Sequence, residues 1–203
     1  MEKTTETLMK TVVAFLSRSH GYDVLKKLTK SKDHKILKVY THKLNPKSQD
    51  PKRHIRDDFH LYEEKCKKLD ITLVTIDDNK SEILNCPVCD FIVEVSWRYL
   101  IPENITKKAK IAAFGIHRGK LPDYAGAEPI KKAIKNNEKE VVLSAHFLDK
   151  KIDFGDTILS YDHKINYEQK LDLDQNVQKI REDITQFFGN LVLNVMTYFE
   201  KKD

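Results

Sequence analysis

The chain has 203 residues, 40% of them hydrophobic, and its 36 Lys and Arg against 31 Asp and Glu leave a formal charge of +5. This length can bury a substantial core and leaves little room for a second one, so a single domain over residues 1–203 is expected. The charge excess is too small and dispersed to mark a nucleic-acid binder, and no run of about 18 apolar residues predicts a membrane span.

Met1 to Lys10 alternates acidic and basic residues before a short apolar run. That is not a secretory signal, and a cytoplasmic setting is the expectation. Thr11–Leu16 reads as a buried strand, and Tyr22–Thr29 carries Tyr22, Val24, Leu25 and Leu28 at helical spacing. Ile36–Tyr40 is a second strand, followed by a polar loop, Leu44–Arg53, with two prolines. Phe59–Leu69 is a helix and Ile71–Val74 a strand. Strands follow at Phe91–Val95 and Ile111–Phe114, a helix at Pro129–Asn136, and strands at Val141–Phe147 and Thr157–Tyr161. Leu173–Phe199 sets Val177, Ile180, Ile184, Phe188, Leu191 and Val195 three and four residues apart, an amphipathic helix that would close the domain. The alternation predicts an α/β fold: a mostly parallel sheet flanked by helices, closed by a long C-terminal helix, with ligands at the carboxyl ends of the strands.

Three cysteines, Cys66, Cys86 and Cys89, make no disulfide framework and fit a reducing compartment. Cys86-Pro-Val-Cys89 offers ligands for zinc, and a deaminase or hydrolase using this pair with His117 is one reading. A structural zinc site needs about four ligands, however, and no second such pair is present. The His/Cys-x-Glu signature of the zinc deaminases is also missing. Packing of small thiols beside the Phe91–Val95 strand is the simpler reading, and no metal is expected. Ser17-Arg-Ser-His-Gly21 follows the first strand, where helix-terminal amides bind phosphate in many α/β sheets, but a single glycine is no phosphate-loop fingerprint.

The segment from Ala112 to Gly155 carries the chemistry. His117 follows a strand through Gly115, His146 ends the Val141–Phe147 run, and Asp153-Phe-Gly155 lies between two strands. Two imidazoles and a carboxylate at strand ends, beside Gly and Pro, supply titratable groups on a rigid frame.

His117-x-x-x-Leu121-Pro122-x-Tyr124-x-Gly126-Ala127-x-Pro129, then His146, then Asp153-x-Gly155, resembles the signature of the formyltransferases that use 10-formyltetrahydrofolate. That family includes methionyl-tRNA, glycinamide ribonucleotide and sugar N-formyltransferases. The resemblance runs from Thr11 to about Tyr161 and implies a Rossmann-like formyltransferase fold. It also implies 10-formyltetrahydrofolate as co-substrate, with folate and a small amine acceptor as partners; no nucleic acid or membrane partner is expected, and a homodimer is left open. In such an enzyme His117 donates to the oxyanion formed when an amine attacks the formyl carbon. Asp153 holds that imidazole charged and moves the proton through water, and His146 supports the pair. Ser96-Trp97-Arg98-Tyr99-Leu100-Ile101-Pro102 matches the segment that lines the folate pocket. The implied cofactor-binding residues are Trp97, Arg98, Tyr99, Leu100 and Ile152.

Three departures stand out. The family's Asn two residues before the catalytic His, a donor to the formyl oxygen, is here Gly115. Arg118-Gly119-Lys120 replaces a common Pro-Ser-Leu, and Ala125 replaces a common Arg. Loss of one oxyanion donor costs roughly 2.7 to 4 kcal/mol. Gly115→Asn is therefore expected to restore turnover, provided the backbone, which glycine allows to take a positive φ, accepts a side chain. The acceptor is expected to be an amino sugar or sugar nucleotide. The glycinamide ribonucleotide enzymes' Gly-Ser-Asn loop is missing after the first strand, and nothing beyond the closing helix would form the C-terminal barrel of the methionyl-tRNA enzymes. A catalytically impaired folate- or nucleotide-binding protein of the same fold, or an enzyme like either of those two, is the alternative.

Overall fold

The computed structural model describes residues 9–202; residues 1–8, most of the charged N-terminal stretch, lie outside it. The strands are β1 (Lys10–Leu16), β2 (His34–Thr41), β3 (Thr72–Thr75), β4 (Cys89–Val95), β5 (Ala109–His117), β6 (Glu140–Phe147) and β7 (Thr157–Lys164). They form a seven-stranded sheet in the order β3-β2-β1-β4-β5-β6-β7. The pairings from β3 to β5 are parallel, and β6 and β7 continue the sheet antiparallel. The strand order reverses between β1 and β4, the crevice where open α/β sheets bind ligands.

The helices are α1 (Arg18–Leu28), α2 (Phe59–Lys68), the single turn α3 (Glu103–Thr106), α4 (Pro129–Lys135) and α5 (Leu173–Glu200). Strand side chains alternate between the two sheet faces, which splits the core. Val12, Ala14 and Leu16 of β1 pack with Leu25 of α1, Tyr62 of α2, Ile130 of α4 and Ile184, Phe188 and Val192 of α5. Val13 and Phe15 face the other way, onto Tyr40, Cys89, Ile92 and Ile105. Four helices therefore cover one face. The opposite face is covered by α3, the segment bearing Trp97 and Ile101, Leu148 and the loop bearing Ile76 and Cys86, which leaves room for a cavity at its carboxyl edge. Cys86 and Cys89 pack in this second cluster, where burial pushes the Cys89 thiol up to about 12.

α5 begins with a capping box: Asp172 accepts from the Gln175 N–H at 2.8 Å, and the Gln175 side chain accepts from the Asp172 N–H at 2.9 Å. α1 starts at Arg18, four residues before the sequence pattern shows it, because its first turn carries polar residues. The loop after the first strand is therefore short, and Gly21 lies inside α1, where an added Cβ would come 2.7 Å from the Tyr62 hydroxyl. No helix among the described residues is long and apolar enough to cross a membrane.

Candidate active site

β5 runs through His117, so this residue ends a strand and does not lie in the loop beyond one. Register brings the site together. Gly115 of β5 is paired with Glu94 of β4 on one side and with His146 of β6 on the other, and Glu94 is itself paired with Phe15 of β1. Phe15, Glu94, residue 115 and His146 thus form one row across the sheet. His117, two residues along β5, shares its face. Gly115 leaves a gap in that row, and Glu94 leans into it: a Cβ built on residue 115 would lie 2.5 Å from Glu94 Oε2 and 3.2 Å from Leu148 Cδ2. The φ of Gly115 is not positive; among the glycines only Gly126 is left-handed, at +81°. Close approach of the Glu94 carboxyl, and not backbone conformation, accounts for the glycine. An Asn at this position meets the far end of the Glu94 side chain, which must shift aside for its Cβ to enter.

The loop between β6 and β7 returns Asp153 to the end of β5. His117 Nδ1 lies 3.2 Å from Asp153 Oδ2, which also accepts from the Gly126 N–H at 3.1 Å. His117 Nε2–H donates to the Tyr124 carbonyl at 2.7 Å, so both ring nitrogens face oxygen acceptors. Burial alone would raise the Asp153 pKa. The His117 bond and charge, then the Gly126 N–H, outweigh it and hold the carboxylate below its ordinary range. His146 is buried, with Nε2 3.6 Å from Asp153 Oδ1 and Nδ1–H on the Phe147 carbonyl. Burial holds its pKa down, outweighing the Phe147 carbonyl bond and the Asp153 charge, which raise it. Asp153 (φ 60°), Ser96 (φ 59°) and Glu128 (φ 55°) are all left-handed non-glycine residues on the same cavity. Such conformations persist only where surrounding structure over-determines them, and they cluster at functional sites.

That cavity holds about 200 Å³ and opens at the carboxyl ends of β4 and β5. His117, Asp153 and His146 line it, as do four of the five residues expected to bind folate: Trp97, Tyr99, Leu100 and Ile152. Leu100 and Ile152 are 45% and 54% exposed, apolar groups free to cover a flat ring. Trp97 stacks on His42 at 4.0 Å, and the Tyr99 hydroxyl is tied to the Asp77 carbonyl at 2.8 Å. Arg98 does not line the cavity. Its N–H is taken by His42 Nε2 at 3.2 Å, and its guanidinium nitrogens are buried without hydrogen-bond partners. Burial, then the Arg56 charge, lowers its pKa.

Sequence reasoning missed Glu94, although a lone acid within Phe-Ile-Val-Glu-Val was a visible signal. A second group went unread because its members are far apart in sequence. Arg18, Arg56, Arg118 and Arg181, with His20, line a neighbouring cavity of about 390 Å³ at the start of α1. Arg118 lines both cavities. Burial, then Arg181 and Arg18, lowers the Arg118 pKa to about 10, against Glu94 and Asp153, which raise it.

The family model described as formyl transferase matches residues 9–188. The methionyl-tRNA formyltransferase of Orientia tsutsugamushi is 30% identical over 181 residues, covering 86% of this chain and 54% of that protein, so the chain spans about half the length of this relative. The phosphoribosylglycinamide formyltransferase structure from Streptococcus pneumoniae superposes with a TM-score of 0.64 at 16% identity, over 93% of this chain and 99% of the other. A 4-N formyltransferase from Francisella tularensis gives a TM-score of 0.59 at 20% identity, over 92% and 70%. Sheet order, strand-end site and sequence match agree: the chain belongs to the formyl transferase family.

Proposed function

We propose that the protein transfers the formyl group of 10-formyltetrahydrofolate to the primary amine of an amino sugar carried on a nucleotide. The observation that carries the transfer is the His117–Asp153 pair, 3.2 Å apart at the carboxyl edge of the sheet, in a cavity shared with the Trp97–Leu100 segment. The acceptor nitrogen attacks the formyl carbon. His117 exchanges the Tyr124 carbonyl for the developing oxyanion, and Asp153 takes the proton released from the acceptor nitrogen. The C–N10 bond then breaks and the proton passes to N10. His146 lies behind Asp153 and supports its placement.

The arginine cavity supports an acceptor that bears phosphate. Arg18, Arg56, Arg118 and Arg181 share this cavity with Asp57, Asp58 and Glu182, Arg56 lying 3.5 Å from Asp58, and the guanidinium groups reached from His117 through Arg118 suit a bound polyanion. Gly115 would favour a binding protein without activity, but the paired His117 and Asp153 have no use in mere binding.

The test is tetrahydrofolate release from 10-formyltetrahydrofolate, with a nucleoside-diphosphate amino sugar, glycinamide ribonucleotide and methionyl-tRNA as alternative acceptors. The first should turn over, and Asp153→Ala should lower kcat by about 10²–10⁴-fold without unfolding the protein. Arg118→Gln should raise KM for the nucleotide sugar at least tenfold. Turnover confined to another acceptor refutes the nucleotide sugar. Folate binding with no transfer to any amine refutes the enzyme.

A further inference from the structure

Resting on that reading, the structure points to a replacement for the missing oxyanion donor. We propose that Glu94, as a neutral carboxylic acid, donates its hydrogen to the formyl oxygen from the place that a side chain on residue 115 would occupy. Three observations carry this. Register pairs Glu94 with Gly115, so the two side-chain positions are neighbours on the face that bears His117. Glu94 Oε2 lies 2.5 Å from the Cβ that residue 115 lacks. Glu94 Oε1 accepts from the Trp97 N–H at 2.7 Å, which fixes the carboxyl and leaves Oε2 as the oxygen able to carry hydrogen toward the cavity.

The charges around it decide its form. Burial is the largest influence and pushes the Glu94 pKa up to about 8. Asp153, across the cavity, also raises it; the Trp97 N–H and Arg118 act the other way. His117 and His146 face Asp153, and Asp149 and Lys151 lie on the cavity wall from the β6–β7 loop. Glu94 is therefore mostly protonated at neutral pH, and a protonated carboxyl held beside the reacting groups is an effective hydrogen-bond donor. As the acceptor nitrogen bonds to the formyl carbon, the C=O pair moves to oxygen, and Glu94 Oε2–H shares its hydrogen with that oxyanion. When the C–N10 bond breaks and C=O re-forms, the hydrogen remains on Glu94. Nothing is consumed.

The first readout needs no turnover. In protein labelled with ¹³C at the glutamate carboxyl, the resonance lost in Glu94→Gln should titrate near pH 8 and shift when 5-formyltetrahydrofolate binds. A midpoint in the ordinary carboxylate range overturns the proposal whether or not formyl transfer is detected. The second readout uses 10-formyltetrahydrofolate and a nucleoside-diphosphate amino sugar. Wild-type kcat should fall above about pH 8. Glu94→Gln, whose amide still donates, should lose less than tenfold at pH 7 and show no such fall. Glu94→Val should lose about 10²–10³-fold in kcat with little change in folate KM. Combining Glu94→Val with Gly115→Asn should recover at least tenfold over Glu94→Val, because the Asn amide then enters the vacated space. Wild-type kcat in a folded Glu94→Val protein, or an unchanged alkaline fall in Glu94→Gln, refutes Glu94 as donor and leaves the His117–Asp153 assignment standing.

Discussion

Asp153 is held in a left-handed conformation, and the glycine two residues later shows how tightly its loop is built. A Cβ on Gly155 would lie 1.9 Å from the Phe147 carbonyl oxygen, a backbone atom that cannot turn aside, while the Phe147 N–H donates to the Asp156 carbonyl at 3.1 Å. Gly155→Ala must push the loop off β6 and carry Asp153 with it. A displacement of about 1 Å costs on the order of 10² in rate, so kcat should drop by that factor and the melting temperature should fall. Gly126 is the contrast. Its Cβ position faces open space, so Gly126→Asn bears only the strain of a left-handed φ of +81°, which Asn carries better than most residues, and should keep both the fold and the N–H that Asp153 accepts. Equal damage from both substitutions would show that the Phe147 contact is not what places Asp153. The Asp-x-Gly spacing was readable in the sequence, as were both histidines, because motif order exposes them. Glu94 was hidden because its role depends on which strand lies beside β4, and strand order is not written in local sequence.

At the level of elements, apolar periodicity located every strand and the longer helices to within a few residues, since buried faces impose periods of 2 and 3.6. It missed α3, whose four residues are too few to show a period, and the polar first turn of α1. It also stopped β5 at Phe114, because the glycine and His that follow break the apolar run, yet the β5–β6 pairing extends the strand to His117. The contact between α1 and α5 was not legible either. Gly189 of α5 donates its N–H to Asp23 Oδ2 at 3.0 Å, and an added Cβ would meet Lys27 Cγ at 2.3 Å and Lys27 Cβ at 2.8 Å. Alanine gains about 1 kcal/mol over glycine in a helix interior, whereas overpacking costs typically 1–3 kcal/mol. The clash involves the root of the Lys27 side chain and not its mobile end, so overpacking should win. Gly189→Ala should lower the urea unfolding free energy by about 1 kcal/mol. An increase would show that α1 yields at this crossing.

Across the whole molecule, burial, reinforced by cations gathered at the carboxyl edge of the sheet, governs how the buried imidazoles behave. His20 is 3% exposed and His42 is 0% exposed. Burial, reinforced by Arg118 at His20 and by Arg98 and Arg56 at His42, pushes both pKa values down to about 3. His42 is locked as the neutral ring: Nδ1–H donates to the Ile76 carbonyl at 2.5 Å, and Nε2 accepts from the Arg98 N–H. His20 packs its ring on Phe188 at 4.6 Å. In the unfolded chain these groups titrate near 6.5. Between that value and about 3 the unfolded state binds protons that the folded state refuses, so stability is lost as pH falls through this window. Full protonation costs on the order of a few kcal/mol per histidine. Glu94 has the opposite slope, because its folded pKa is raised: it favours the folded state less as pH rises from the ordinary carboxylate range to about 8. Urea midpoints should therefore decline on both sides of a maximum near pH 6. His20→Leu, which keeps an apolar contact with Phe188, should flatten the acid side while leaving the alkaline side intact, and Glu94→Gln should do the reverse. If His20→Leu leaves the acid slope unchanged, His20 is not a group that must charge on unfolding, and the arginine cavity does not reach it.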